Sequence, residues 1–285
     1  MSVPPSHSVL VFGASSQIGH CLLPMLSTQD ARVIAVSRTP RCDRGAHWLR
    51  GELPESLHGD FSDVEWVASF APLAALATWL SNTSLPALKR VVATSSMSAE
   101  SKRESPVMSE RALAASLRDG EQALMRACES RGIACTILRP TLIYGVGLDK
   151  SLTPLAHRAA KMRVFVLPPG RGLRQPVHAR DVAAAVLAAL QSLRASGRVI
   201  PIGGGERLTA QEMFARVRAS LPVRTLALRL PRFAIRTATR MLSSARGPLS
   251  RLDADLIADN GELERLLDVH PRGFAPDATA WNPRL

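Results

Sequence analysis

Tyrosine and lysine are scarce in this chain of 285 residues. Tyr144 is the only tyrosine, and only four of the 36 basic residues are lysines. The nearest lysine after Tyr144 is Lys150, so no tyrosine is followed by a lysine four residues later. Aromatic residues make up 4% of the sequence, but a hydrophobic content of 46% is sufficient for an aliphatic core.

Paired cysteines and long hydrophobic runs are also lacking. The four cysteines, Cys21, Cys42, Cys128 and Cys135, form no C-x-x-C pair, which predicts reduced thiols rather than a disulfide framework. The longest apolar run, residues 182–190, is far shorter than a membrane-spanning helix. Since no basic-then-apolar signal segment precedes the first apolar stretch, we expect a soluble cytoplasmic protein.

Acidic residues are missing from one long stretch. Residues 213–252 contain no aspartate or glutamate but nine arginines, in a chain of net charge +12. In a helix over this stretch, Arg232, Arg236 and Arg240 would share one face, with apolar side chains opposite. We favour packing of this helix on its own domain; peripheral contact of residues 224–251 with an anionic membrane is the alternative. Without an aromatic-interleaved basic patch, we expect no nucleic-acid partner.

Residues 8–26 hold the clearest structural motif of the sequence. An apolar run ends at Gly13 and is followed by a helical pattern of Ile18, Leu22 and Leu26. A strand, a glycine turn and a helix in this order direct backbone N–H groups at one point, which suits a dinucleotide pyrophosphate.

The same alternation of strands and helices continues to residue 138. It predicts an α/β fold with a Rossmann-like, doubly wound parallel sheet. Further strands are expected at residues 31–36, 48–53, 64–72, 90–96 and 133–138. The longest helix is expected over residues 109–131, capped by Ser109.

Beyond residue 140 the chain becomes rich in Gly/Pro loops. Residues 1–140 therefore form the predicted NAD(P)-binding core, and residues 141–285 a mixed region that combines core helices and a strand with a small C-terminal substrate lobe. A helix is expected over residues 181–195. Another is expected over residues 209–220, where Thr209 and a glutamate three residues later make a capping box.

The end of the second predicted strand indicates the type of dinucleotide. A carboxylate there would bind the ribose 2′-hydroxyl of NAD(H), but this chain has Ser37 and Arg38, with Arg41 and Arg44 nearby. An arginine accommodates the 2′-phosphate of NADP(H). NADP(H) is therefore the preferred cofactor and NAD(H) the alternative, while solvated loop arginines are the competing interpretation.

Five fragments occur in one order along the chain. They are GASSQIG at 13–19, Ser95-Ser96, LRPTLIYG at 138–145, RQPVHARDVA at 174–183 and IGGGERLTAQEM at 202–213. Together they resemble the extended short-chain dehydrogenase/reductases, specifically the NAD(P)-dependent epimerase/dehydratase family of nucleotide-sugar enzymes. The resemblance covers residues 8–220 and implies a Rossmann fold, NAD(P) binding and a small-molecule substrate such as a nucleotide sugar.

Position by position, the resemblance implies a set of site residues. The cofactor-binding residues would be Gly13, Ser15, Ser16, Gln17, Ile18, Gly19, Ser37, Arg38, Glu52, Leu53, Ala71 and Pro140. Ser96 falls on the catalytic Ser/Thr, and the substrate-binding residues would be Ser96, Thr141, Tyr144 and Arg174. Arg174 would grip a substrate diphosphate, with an exposed loop arginine as the alternative. His178 and Asp181 match a structural pair, and no metal site is expected.

The chain departs from the family at the catalytic pair. In the family, a tyrosine and a lysine four residues later share a helix face, and the lysine lowers the tyrosine pKa for proton exchange with substrate. With Ser116 and Glu121 aligned on the family's serine and glutamate, Leu113 stands at the tyrosine and Leu117 at the lysine. Leucine cannot relay a proton. The middle glycine of the phosphate turn is also replaced, by Ser16 or by Gln17 depending on the spacing used for the alignment, and either side chain would crowd the pyrophosphate.

Two functions are consistent with these residues. The favoured one is an enzyme, an epimerase/dehydratase-like oxidoreductase that acts on a nucleotide sugar or related anionic metabolite with atypical or weakened catalysis, through Ser96, water or the substrate itself. The alternative is a non-catalytic NADP(H)-binding sensor or scaffold with the same fold. The sequence does not specify the oligomeric state.

Overall fold

The computed structural model describes residues 7–39, 45–55, 57–229 and 253–282. The strands of its main sheet are β1 (Ser8–Phe12), β2 (Arg32–Ser37), β3 (His47–Arg50), β4 (Trp66–Ser69), β5 (Arg90–Thr94), β6 (Ala134–Pro140) and β11 (Arg198–Ile202). Within these residues they form a seven-stranded sheet of order β11-β6-β5-β4-β1-β2-β3, and every pairing is parallel. The predicted α/β Rossmann-like fold is confirmed.

Helices cover both faces of this sheet. They are α1 (Gln17–Ser27), α2 (Leu73–Asn82), α3 (Ser98–Ser101), α4 (Met108–Glu129), α5 (Leu152–Met162), α6 (Ala179–Gln191), α7 (Ala210–Ala219) and α8 (Gly261–Leu267), with a 3₁₀ turn at Ala278–Trp281. Leu22 of α1, Val186 of α6 and Leu263 of α8 belong to the core on one face. Leu76 of α2 and Leu124 of α4 belong to the core on the other.

The order of the strands reverses at β1, which pairs with β2 on one side and with β4 on the other. Phe12, the last residue of β1, is level with Val36 and Ser69 in these pairings. In open parallel sheets, ligands bind in the crevice beyond the carboxyl ends of the strands at such a reversal. The fold therefore brings the turn after β1 and the ends of β2 and β4 to one edge.

Beyond β6 the chain contributes both to this core and to a smaller lobe. Short strands β7 (Ile143–Tyr144), β8 (Val164–Leu167), β9 (Leu173–Arg174), β10 (Val177–His178), β12 (Leu208–Thr209) and β13 (Leu226–Arg229) pair as β10-β7, β12-β9 and β13-β8. The chain also returns to the core, because α6 packs on α1 and β11 pairs with β6. The division at residue 140 remains a prediction.

Several sequence expectations differ from the structure in their bounds. The longest helix, α4, begins at Met108 and its N-cap residue is Val107, so the prediction that Ser109 caps it is wrong. Helix α6 begins at Ala179, before the expected residue 181. The capping box of Thr209 is confirmed. The expected arginine-rich helix lies outside the described residues, in which no helix is long and apolar enough to cross a membrane.

Candidate cofactor and substrate site

The turn between β1 and α1 is held by Gly13, Ser16 and Gly19. Gly13 has φ +68°, a left-handed conformation that favours glycine, and its carbonyl accepts a hydrogen bond from the Ser16 amide at 2.8 Å. The Ser16 hydroxyl caps α1 by accepting from the Gly19 amide at 3.2 Å. A Cβ on Gly19 would lie 2.3 Å from the Ala14 carbonyl oxygen, so this position requires glycine. Ser16, one of the two residues that align with the family's middle glycine, thus serves as the helix cap.

Two buried oxygen atoms lie at this edge without a partner. Within the described part of the chain, Gln17 Oε1 and Ser95 Oγ are buried and form no hydrogen bond. Gln17 is the first residue of α1, and Ser95 directly follows β5. Buried polar atoms are nearly always satisfied, by protein, water or ligand. These two oxygens, beside the amides of a helix N-terminus, fit a polar ligand with phosphates and hydroxyls such as a dinucleotide.

The residues after β2 lie where the adenosine ribose is expected. Ser37 is buried, and its hydroxyl accepts a hydrogen bond from the Thr39 amide at 3.3 Å. The Arg38 side chain is 77% exposed and its Nη1 lies 3.5 Å from Glu52 Oε1. Such an exposed ion pair contributes little free energy, so Arg38 can reorient towards a phosphate at small cost. Arg41 and Arg44 lie outside the described residues.

The remaining predicted cofactor residues lie on the same edge in different environments. Ile18 is in the core on one face of the sheet, and Leu53 is partly buried against the core on the other face. Ser15 and Ala71 are half-buried. Pro140 is buried at the end of β6, where its carbonyl accepts a hydrogen bond from the Met97 amide at 2.9 Å. The apolar side chains among these residues can shape a cofactor site, but they cannot form hydrogen bonds to the cofactor.

The predicted catalytic positions lie after β5 and on α4. The Ser96 hydroxyl accepts a hydrogen bond from the Ser98 amide at 3.1 Å, which leaves its proton for donation. Leu113 of α4 is 43% exposed and Leu117 is half-buried. The next residue, Arg118, donates through Nη1 to the Ala99 carbonyl at 2.7 Å and so ties α4 to α3.

An ion-pair cluster that the sequence did not reveal joins α4 to the end of β6. Arg139 donates to Glu121 through Nε at 2.8 Å and through Nη2 at 2.5 Å, and through Nη1 to Glu100 at 2.7 Å. The Glu121 side chain is 4% exposed and that of Arg139 is 15% exposed. The paired hydrogen bonds to Glu121 raise the pKa of Arg139. The cluster fixes the helix that carries Leu113 and Leu117 against the strand that ends at Pro140.

The structure places the predicted substrate residues in separate locations. The Thr141 hydroxyl is buried and donates to the Gln175 carbonyl at 2.5 Å, so it serves the fold. Tyr144 is also buried, in edge-to-face contact with His178 and Phe274. Burial raises the pKa of Tyr144 to about 12. Tyr144 lines a cavity beside α1, whereas Arg174 lines a separate cleft.

Arg174 lies in a cleft of about 380 Å³ between the core and the C-terminal lobe. Ser98 and Lys102 line it on one side, with Leu155 and Phe214 on the other. Arg174 is only 8% exposed, so the alternative of an exposed loop arginine is wrong. Its Nη1 donates to the carbonyls of Leu173 at 2.8 Å and Ala254 at 2.6 Å. The arginine thus also holds the segment around residue 254 against β9.

His178 and Asp181 lie at the start of α6, as a structural pair. His178 Nδ1 accepts a hydrogen bond from the Arg180 amide at 3.1 Å. The buried Asp181 accepts from Arg272 Nε at 3.0 Å and from its Nη2 at 2.8 Å. Burial, followed by the nearby charge of Arg272, lowers the pKa of His178. Within the described ranges, no group of three or more His, Cys, Asp or Glu side chains could hold a metal ion.

Comparison with known proteins agrees with this fold. Residues 73–203 match the NAD dependent epimerase/dehydratase family. Among solved structures, the chain is similar to UDP-N-acetylglucosamine 4-epimerase from Bacillus cereus (16% identity over 97% of this chain and 94% of that one, TM-score 0.68). It is also similar to MoeE5 in complex with UDP-glucuronic acid and NAD (18%, 96% and 97%, 0.71) and to UDP-glucose 4-epimerase from Thermotoga maritima (16%, 96% and 96%, 0.68). No curated protein matches the chain in sequence.

At these identities the solved structures establish the fold, whereas the family match concerns the sequence itself. The matched residues begin at α2 and end after β11, and so include the predicted catalytic positions and Arg174. Residues 73–203 are thus similar in sequence to the NAD dependent epimerase/dehydratase family, and nearly the whole chain shares the fold of the solved structures named above.

Proposed function

We propose that the chain binds NADP(H) along the edge formed by the turn after β1 and the ends of β2, β4 and β5, and acts as an epimerase/dehydratase-like oxidoreductase. The pair of buried, unpartnered oxygens of Gln17 and Ser95 at this edge is the observation that carries the proposal. Ser16 and Gly19 would present the helix N-terminus to the pyrophosphate, and Arg38 would bind the 2′-phosphate. When bound, NADP(H) supplies or accepts a hydride.

The substrate proposed for this reaction is a nucleotide sugar or a related anionic metabolite in the cleft beside Arg174. The solved structures named above include complexes with UDP-sugars, and the cleft opens on Ser98, two residues from Ser96. Ser96 can donate its proton to a substrate oxygen, because its oxygen already accepts from the Ser98 amide. With leucine at positions 113 and 117 the remaining proton transfers fall to water or substrate, so turnover should be slow.

Fluorescence titration with NADPH and NADH tests the cofactor assignment. Wild-type protein should bind NADPH more tightly than NADH. Arg38→Gln should weaken NADPH binding about tenfold and leave NADH binding unchanged, since one charge-assisted phosphate contact is lost. Arg126→Gln on α4, another exposed arginine, is the matched control and should bind both like wild type. Failure of the wild-type protein to bind either dinucleotide would refute the proposal.

The second candidate is a non-catalytic NADP(H)-binding sensor or scaffold, which the leucines at positions 113 and 117 favour. A leucine side chain offers neither the proton of the family's tyrosine nor the charge of its lysine. If this candidate is correct, the wild-type protein binds NADPH but turns over no member of a nucleotide-sugar panel. The double variant Leu113→Tyr/Leu117→Lys should then remain inactive as well. Turnover by the wild-type protein would exclude the sensor and support the enzyme.

A further inference from the structure

The small sheet of β8 and β13 has an apolar outer face. Leu226 pairs with Val164 and Leu228 with Val166, so these side chains project on the same side. Leu226 is 70% exposed, Leu228 49% and Val166 37%. The opposite side carries Phe165, which is fully buried in the core of the C-terminal lobe. Side chains on the solvent-facing side of a sheet are normally polar. The exposed apolar side chains of this outer face are therefore unusual.

Exposed basic residues shortly precede both strands of this outer face in the sequence. Lys161 and Arg163, at the end of α5, and Arg224, just before β13, are all exposed. The backbone of Arg163 is joined directly to the face, because its carbonyl accepts a hydrogen bond from the Leu226 amide at 2.8 Å. The sequence stretches that contain β8 and β13, residues 150–180 and 213–252, have no aspartate or glutamate.

We propose that this outer face docks on an anionic phospholipid surface. Leu226, Leu228 and Val166 lie at the boundary of the acyl chains, and the bordering lysine and arginines contact the lipid phosphates. Apolar side chains set among basic ones have the composition of a surface that lies in the membrane interface. A second copy of the chain is a poor occupant, because it presents the same positive border and repels the first.

Co-sedimentation of the full chain with vesicles tests this docking surface. The wild-type protein should bind vesicles of phosphatidylcholine with about 30% phosphatidylglycerol and not vesicles of phosphatidylcholine alone, because the attraction is electrostatic. Binding should weaken when NaCl is raised from about 0.05 to 0.5 M. Leu226→Gln/Leu228→Gln should lower the partition coefficient at least about tenfold. Leu193→Gln is the matched control, because Leu193 is 59% exposed but distant in sequence, and should bind like wild type.

A variant that removes one exposed charge tests the same surface without changing its apolar residues. Arg224→Gln, on an exposed side chain, should lower the partition coefficient about fivefold. Circular dichroism and the thermal midpoint confirm that each variant is folded. The proposal is overturned if wild-type protein does not bind anionic vesicles, or if the folded Leu226→Gln/Leu228→Gln protein binds them as wild type does. It is equally overturned if the face instead supports a dimer that these substitutions dissociate, with no vesicle binding.

Discussion

At the residue scale, the ion pair between Arg139 and Glu121 is a largely buried polar interaction near the candidate site. Glu121 is almost completely buried and has two hydrogen bonds from the guanidinium, whereas Glu100 contributes one from a half-exposed position. A buried charge that loses its partner retains the cost of desolvation, but an exposed one is solvated by water. Glu121 and Glu100 should therefore differ strongly in their contribution to stability.

Glu121→Gln should lower the free energy of unfolding by about 3 kcal/mol, because Arg139 then loses its buried carboxylate partner and keeps only the half-exposed Glu100. Glu100→Gln, the control on the same arginine, should lower it by less than about 1 kcal/mol. Urea denaturation of the three proteins measures both changes. Equal effects of the two substitutions would mean that Arg139 is not held mainly by Glu121.

At the scale of elements, helix caps show where local sequence rules succeed and where they fail. Thr209 and Glu212 cap each other's backbone amides, as their spacing predicts. Ser109 lies inside the first turn of α4 instead, because the preceding turn is organised by Ser105. The Ser105 hydroxyl accepts from the Val107 amide at 3.2 Å and donates to Glu110 at 2.7 Å.

Thr209→Ala should therefore destabilise the protein by about 1 kcal/mol, since it removes an N-cap. Ser109→Ala, a matched control in another first turn, should change the stability by less than about 0.5 kcal/mol. Thermal or urea unfolding distinguishes them. A larger loss in the Ser109 variant would contradict the observed start of α4.

At the scale of the whole molecule, His178 couples the stability of the fold to pH. It lies where α6, β10 and the loop after β7 meet. Its ring packs directly on Gly145, where an added Cβ would be 2.2 Å from the ring Nε2. Burial lowers the pKa of His178 below its ordinary value of 6.5. The unfolded chain therefore takes up this proton at a higher pH than the folded protein does.

The contribution of His178 to stability is present above its unfolded pKa and is lost as the pH falls through the folded value. Wild-type protein should thus lose stability between about pH 7.5 and 5.5, and His178→Asn should lose less over this range. Asparagine also caps helices, so the start of α6 is retained. Glu65 has a lowered pKa as well, but it changes the stability only below the ordinary glutamate pKa of 4.5, which is outside this pH range. Equal pH slopes in the two proteins would exclude His178 as the cause.

Much of the fold could be predicted from local patterns. Short apolar runs identified the strands of the core through residue 138, and Gly13 with Gly19 identified the phosphate turn, because backbone conformation and periodicity depend on neighbours in sequence. The order of the motifs also predicted the similarity of residues 73–203 to the NAD dependent epimerase/dehydratase family. In contrast, strand ends and helix starts depend on hydrogen bonds to residues elsewhere, and several shifted by a few residues.

The candidate site depended far more on tertiary structure. The sequence by itself determined that the chain has no Tyr-x-x-x-Lys pair, and it indicated Ser37 and Arg38 at the end of β2. Only the folded structure decided that Tyr144 and Arg174 lie in different cavities and that Arg139 binds Glu121. The reason is physical: spacing along a chain sets local conformation, but burial and partners come from segments distant in sequence, which only packing brings together.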